Sequence, residues 1–272
     1  MRLRWCLALM ITIPGFGQQQ NPGRQRGIIL ADLSWVEAER VLQSDTIVVI
    51  PIGAEAKEHG PHLKLKTDYL EAQYYTRQIL ERADVVIAPT VNYSYYPAFV
   101  EYPGSTTLRL ETARDTLVDI CRSLAHYGPK RFYALNTGVS TLHALQPAAQ
   151  VLAADGILLR YTNILEAGAE AERRVKQEAG GTHADEIETS LMLYIDPASV
   201  DMRLAAKDYH PSPTGGLTRD PHKTGAYSPS GIFGDATLAT RAKGEAVAKE
   251  TVEAMLRDIE SLRHAQVGDG PR

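Results

Sequence analysis

Cysteine is scarce: the 272 residues hold only two, Cys6 and Cys121. That excludes a disulfide scaffold and a cysteine-built metal module. A basic excess is also missing. Lysine and arginine number 29 against 33 acidic residues, a net charge of −4, so no nucleic-acid footprint is present. No apolar run reaches the roughly 18 residues that cross a bilayer, so no membrane span is expected. What remains is ordinary for a soluble globular chain, with 44% hydrophobic and 23% charged residues. A chain of this length buries enough surface to fold around its own core.

The N-terminus reads as an address. Arg2 and Arg4 precede a short apolar stretch, Trp5 to Ile13, followed by Pro14, Gly15, Phe16 and Gly17. Gly15 and Gly17 suit the −3 and −1 positions of a cleavage site, so residues 1–17 are expected to be a secretory signal peptide. The mature protein is then periplasmic or secreted. Cleavage removes Arg2 and Arg4, taking the net charge from −4 to −6, and leaves Cys121 as core filler on a helical stripe. Residues 18–29 are expected to be a disordered lead, 30–264 one domain, and 265–272 a flexible tail.

Within that domain, apolar blocks alternate with helical periodicity. Thr46–Ile50, Val85–Ile87, Phe132–Leu135 and Ile157–Leu159 read as strands buried on both faces. Helices are expected over 33–42, from Asp68, over 113–124 and 142–152, and around Ile187 to Tyr194, with a long last helix that Asp235 can cap. This pattern specifies an α/β domain with a mostly parallel sheet covered on both faces. Residues 208–233 are rich in proline and glycine, the composition of a loop that covers a site or meets a neighbouring subunit.

Two polar clusters carry the chemistry. The first strand runs into Pro51-Ile-Gly-Ala-Glu55-Ala-Lys57-Glu58-His59-Gly-Pro-His62 and on to Thr67-Asp68. Open α/β sheets place ligands beyond the C-terminal ends of their strands. Histidine with aspartate and glutamate suits zinc, manganese or iron. The second cluster is Thr182-His183-Ala184-Asp185-Glu186-Ile187-Glu188-Thr189-Ser190. An acidic first helical turn explains Asp185 and Glu186, but not His183 or Glu188.

Together these segments resemble the creatininase (creatinine amidohydrolase) family. Its marks are a Gly…Glu-x-His-Gly-x-His-Leu-Pro…Thr-Asp segment and a later His-Ala-Gly…Glu-Thr-Ser segment. Tyr102-Pro-Gly-Ser-Thr-Thr-Leu108 and Ser230-Gly-Ile-Phe-Gly-Asp-Ala-Thr-Leu-Ala239 are similar to two further family segments. The resemblance implies a three-layer α/β/α sandwich, often a hexamer, with one or two divalent metals (Zn, Mn or Fe). It implies hydrolysis of a C–N bond in a small cyclic amide, formamide or related amide by a metal-activated water. By the same resemblance His59, Asp68 and Glu188 are metal ligands, with Asp68 in the bridging position. His183 is the catalytic histidine that carries protons.

Two departures stand out. Where the family has its glutamate two residues before the histidine, this chain has Lys57. Glu58, or less readily Glu55, is the candidate to fill the vacated ligand place, and Lys57 could replace a metal charge. The third strand ends in Asn136-Thr-Gly138-Val-Ser-Thr141, so Gly138 stands where the family has a metal-binding histidine; His143 follows on a helix surface. A non-catalytic binding protein with a degenerate metal site is therefore the alternative. A metal-assisted lactonase or sugar-processing activity, with Tyr93-Ser94-Tyr95-Tyr96 lining its pocket, is a third reading.

Overall fold

The computed structural model describes residues 25–212 and 215–267. The signal peptide expected at 1–17 lies outside them, as do residues 268–272 of the expected tail.

Successive side chains of a strand point to opposite faces, so a run of β-branched residues can feed two cores at once. Strand β1 is Ile28–Ile29, helix α1 is Trp35–Val41, and the central strand β2 is Ile47–Ile52, buried throughout. Val48, Ile50 and Ile52 join one core; Ile47 and Val49 join the other. Helix α2 (Thr67–Arg82), β3 (Val86–Ile87), α3 (Leu110–Ala125), β4 (Arg131–Asn136), α4 (Leu142–Ala154) and β5 (Leu158–Tyr161) follow. The five strands are all parallel, in the order β1-β3-β2-β4-β5. Helices α1, α3 and α4 pack on the face of Val48 and Phe132. Helix α2 and the last helix, α8, pack on the face of Val49 and Tyr133. This is the expected three-layer α/β/α sandwich.

The short helices α5 (Ile164–Ala167) and α6 (Ala169–Val175) come next, then α7 (Glu186–Ile195). Four two-residue strands fall in and beside the loop-rich stretch: β6 (Lys207–Asp208), β7 (Leu217–Thr218), β8 (Ala226–Tyr227) and β9 (Gly234–Asp235). They pair as β6 with β9 and β7 with β8. Helix α8 is Arg241–His264.

Three expectations need correction. The lead ends before residue 29, because Ile28 and Ile29 pair with Val86 and Ile87 at the sheet edge. The expected tail is held at its first residue, Ala265, whose carbonyl accepts from Arg131. Asp235 does not cap the long helix: it accepts from Thr237 N in a single 3₁₀ turn, and Thr240 caps α8 by accepting from Lys243 N.

Adjacent strands β2 and β4 continue into helices on opposite faces, α2 and α4. Such a divergence opens a crevice at the strands' C-terminal ends. Two glycines fix its walls. A Cβ on Gly53 would lie 2.5 Å from the Asp68 carbonyl oxygen, so only glycine lets the end of β2 meet the first turn of α2. A Cβ on Gly244 would lie 1.8 Å from the Ser190 carbonyl oxygen, so α7 and α8 touch backbone to backbone there.

Candidate metal centre

The crevice holds both polar clusters. His59 is fully buried, and its Nδ1 lies 2.8 Å from the Lys57 carbonyl oxygen. A carbonyl only accepts, so Nδ1 carries the proton. Its Nε2 faces Asp68 Oδ1 at 2.8 Å and Glu188 Oε1 at 3.5 Å. A neutral ring would aim a lone pair at two carboxylate oxygens. A cation therefore belongs at Nε2, either a second proton or a metal ion.

His183 has the same character. Its Nε2 lies 2.9 Å from Glu58 Oε1, and its Nδ1 lies 3.5 Å from Glu188 Oε2. Ligand atoms of His59, His183 and Glu188 all lie within 4.8 Å of one another. Donors bound at about 2.0–2.2 Å to one ion stand about 3–3.6 Å apart, and Glu188 lies 3.5 Å from the facing nitrogen of each ring. Metal donors usually have an orienting partner. His59 has the Lys57 carbonyl as such a partner, and the His183 ring is held at Nε2 by Glu58.

Local folding sets these positions. Thr182 and His183 pair with Phe233 through backbone hydrogen bonds of 3.0 and 2.8 Å. Ala184 then adopts φ +48°, a left-handed conformation that β-carbons disfavour. That turn aims the Ala184 N–H at Glu188 Oε2. Asp185 caps α7 by accepting from the N–H groups of Ile187 and Glu188, placing Glu188 in the first turn. His62 pins the loop from the other side, 2.8 Å from Thr189 Oγ1, and burial holds its pKa down to about 4.

Lys57 changes the character of the other half. Only 5% exposed, its ammonium lies 2.9 Å from Asp68 Oδ2 and 4.8 Å from the centre of the Phe99 ring. Burial alone would drive off its proton, but Asp68, Glu188 and Glu58 outweigh burial and hold the amine charged. Burial likewise pushes the Asp68 carboxyl up, yet Lys57 and His59 override it and keep the group ionised. Glu188 follows the same pattern: burial is overcome by His59, His183 and Lys57.

The expected site residues are thus sorted. His59, Asp68, His183 and Glu188 converge. Glu58 converges too: one carboxylate oxygen faces His183 and the other accepts from Gly60 N. Glu55 is exposed and bonded to Asn92, so it takes no part. His143 lies on the helix surface against Tyr95. Gly138 brings no donor, and Asn136 folds its loop back by bonding both the N–H and the carbonyl of Gly138. Of the four residues Tyr93 to Tyr96, Tyr96 lines the cavity.

That cavity measures about 360 Å³. Lys57, His183, Glu188 and Phe99 help to line it, and Gly216, Leu217 and Phe233 from the loop-rich stretch help to enclose it, as the composition of 208–233 suggested. Its lining also includes Glu71 and Tyr75, which the sequence reading missed. Their signal was an acid three residues beyond Asp68 on the apolar face that carries Ala72 and Ile79.

Fold and site define a creatininase-like α/β protein. The match to the creatininase family, described as "Creatinine amidohydrolase", runs over residues 31–259, and the chain belongs to that family. It is 27% identical to a creatinine amidohydrolase of Pseudomonas putida over 250 residues, which is 84% of this chain and 94% of that one. It is also 27% identical over 237 residues to a mycofactocin precursor peptide peptidase of Mycobacterium ulcerans, covering 83% of this chain and 89% of that one. A solved structure described as "Creatininase Mn" superposes with a TM-score of 0.73 at 23% identity, over 88% of this chain and all of that one. Another, a mutant creatininase described as "Zn-Zn type", gives 0.71 at 23% identity, over 88% of this chain and 99% of that one.

Proposed function

We propose that this chain is an exported amidohydrolase that works with one divalent ion, zinc, manganese or iron, on a small cyclic amide, formamide or related amide. The observation that carries the reading is the environment of His59 Nε2. It is a buried lone pair between two carboxylates, in a cavity lined by His183 and Lys57.

His59, Asp68 and Glu188 would hold the ion, and three protein ligands leave a position open for the reaction. When bound, the ion supplies a Lewis acid for the amide carbonyl and a nucleophile at neutral pH. Lys57 keeps a fixed positive charge beside Asp68, where its neutral replacement would leave the second carboxylate oxygen, Oδ2, without a partner. It also lines the cavity, where it can stabilise charge developing on the carbonyl oxygen. Glu58 holds the Nε2–H of His183, leaving Nδ1 to take a proton from the attacking water and deliver it to the leaving nitrogen. One C–O bond forms, one C–N bond breaks, and the net proton transfer runs from water to nitrogen. Family likeness also supports a homo-oligomer.

The test is turnover of a panel of lactams, formamides and small amides by the mature protein reconstituted with each metal, beside His183→Ala. The reading expects turnover in the wild type, none in the variant, and unchanged metal content in both. Metal lost with His183 would make that residue a ligand instead. A second reading is favoured by Gly138 and the Lys57–Asp68 pair: a binding protein that keeps the pocket without chemistry. Substrate-like amides that bind but never turn over, with any metal, would select it. Export has its own check: the mature N-terminus should begin at Gln18.

A further inference from the structure

The loop that delivers His183 has almost nothing apolar to hold it. Residues 176–185, Lys-Gln-Glu-Ala-Gly-Gly-Thr-His-Ala-Asp, carry two alanines and nothing more apolar. Hydrophobic burial cannot order such a segment, so polar contacts must. Backbone pairing with Phe233 supplies one set. A second set converges on a single ammonium. Lys176 is the C-cap residue of α6. Its Nζ lies 3.0 Å from Gly181 O, two residues before His183, and 3.6 Å from Asp185 Oδ2, two residues after it. Glu172 Oε1 at 3.0 Å and Glu178 Oε1 at 3.2 Å complete a cage of four oxygens. Lysine offers three donors around one compact charge, which suits oxygens arriving from separate residues.

What the cage holds is the entry to α7. Asp185 Oδ1 caps that helix by accepting from Ile187 N at 3.0 Å and Glu188 N at 2.9 Å, while Oδ2 faces Lys176. Glu178 Oε2 accepts from Asp235 N at 2.6 Å, which ties the loop to β9. The Glu178 and Asp185 side chains are only 2% and 4% exposed. A Cβ on Gly234 would lie 2.5 Å from Asp185 Cβ and 2.6 Å from Glu178 Oε2, so both acids crowd the same glycine. Two acids packed that closely in the interior repel each other unless a proton or a cation joins them. Lys176 supplies the cation. Asp185 passes its position on to Glu188 through the cap and to His183 through Ala184.

We propose that Lys176 is a positioning residue for the metal centre: by gripping the loop on either side of His183, it fixes where Glu188 meets the ion and where His183 stands beside it. Lys176 touches neither the ion nor the substrate. The proposal rests on the metal-centre reading for the ion alone; the ordering of the α7 entry is a property of the loop.

Two measurements on the mature protein test it. One is the zinc dissociation constant, by competition with a chromophoric chelator. The other is hydrogen exchange at the Ile187 and Glu188 amides of the metal-free protein. Lys176→Met should weaken zinc binding at least tenfold, the scale on which groups that orient metal donors act. It should also speed exchange at both amides at least tenfold. Lys176→Arg, which keeps the charge, should return zinc affinity to within threefold of wild type. Lys243→Met is the control for a merely structural loss. Lys243 pairs with buried Glu186, which lies in the same helical turn but outside the metal centre. That variant should lower Tm yet leave zinc affinity within threefold of wild type. If Lys176→Met fails to fold, Lys176→Gln, which can still donate to Gly181 O, decides by the same two measures. Zinc affinity unchanged in Lys176→Met, equally weak in Lys243→Met, or unrescued by arginine would overturn the proposal. A wild type that binds none of zinc, manganese and iron sinks the metal-centre reading alone, and the exchange rates still test the grip. Tight zinc with unchanged exchange in Lys176→Met sinks the grip alone.

Discussion

The two halves of the crevice differ in what holds their charge. On one side Glu188 and Asp68 converge on His59 Nε2, while His183 closes the cluster. On the other, Lys57 neutralises the second oxygen of Asp68, and Gly138 offers only backbone. A buried site keeps its charge balance even where its ligands differ. A carboxylate left alone in the interior costs several kcal/mol, and either a metal ion or an ammonium removes that cost. Asp68 serves both halves, so it is the place where the comparison is most easily broken.

Asp68→Ala should have the largest effect. It leaves the Lys57 ammonium buried without its nearest partner, and loss of one member of a buried pair costs about 3–5 kcal/mol. Chemical denaturation should show a drop of that size, and the variant should lose its metal. Lys57→Met in the same background should recover most of the stability without recovering the metal. Full metal content in Asp68→Ala would show that the halves do not share this residue.

The paired substitution Lys57→Glu with Gly138→His should convert the ammonium half into a second donor half. A Cβ at Gly138 would meet Thr141 Oγ1 at 3.1 Å, a tight but side-chain contact that rotation can relieve. Metal analysis should rise by one equivalent per chain relative to the wild type. An unchanged stoichiometry would mean that the second half lacks more than these two side chains.

A pH titration probes the loop that carries both halves. His62 has its pKa lowered from 6.5 to about 4, chiefly by burial. The unfolded chain then binds the extra proton between those values, so stability is full above pH 6.5 and falls as pH drops toward 4. The loss amounts to at most about 3 kcal/mol. His62→Gln should flatten that part of the profile; an equally steep variant would assign the acid sensitivity elsewhere. The smallest effect belongs to Ala184→Gly. Relief of the left-handed strain at φ +48° should offset the extra freedom of the unfolded chain, leaving stability within about 1 kcal/mol of wild type.

Much of this was legible in the sequence. The run Ile47–Val48–Val49–Ile50 could only be a strand feeding two cores, and the polar residues after it had to sit at the sheet's C-terminal edge. Lys57 stood out as a cation among carboxylates, and it does neutralise Asp68. What the sequence could not show is that Gly60 N–H and His183 converge on Glu58. Helices α5 and α6 were missed because they are short and Gly168 interrupts their periodicity. Glu71 was passed over because one acid in a helix reads as solvated until its neighbours are known to be buried. Asp235 carried a sound capping signal, but a turn of 3₁₀ helix used it first.

The central claim is that one half of the crevice takes a metal ion and the other is already occupied by an ammonium. Metal content per chain, measured by mass spectrometry on the mature protein after reconstitution and dialysis, tests it most directly. One equivalent of zinc, manganese or iron is expected. Two equivalents would show that Lys57 yields its place, and none would show that His59 Nε2 is served by a proton alone.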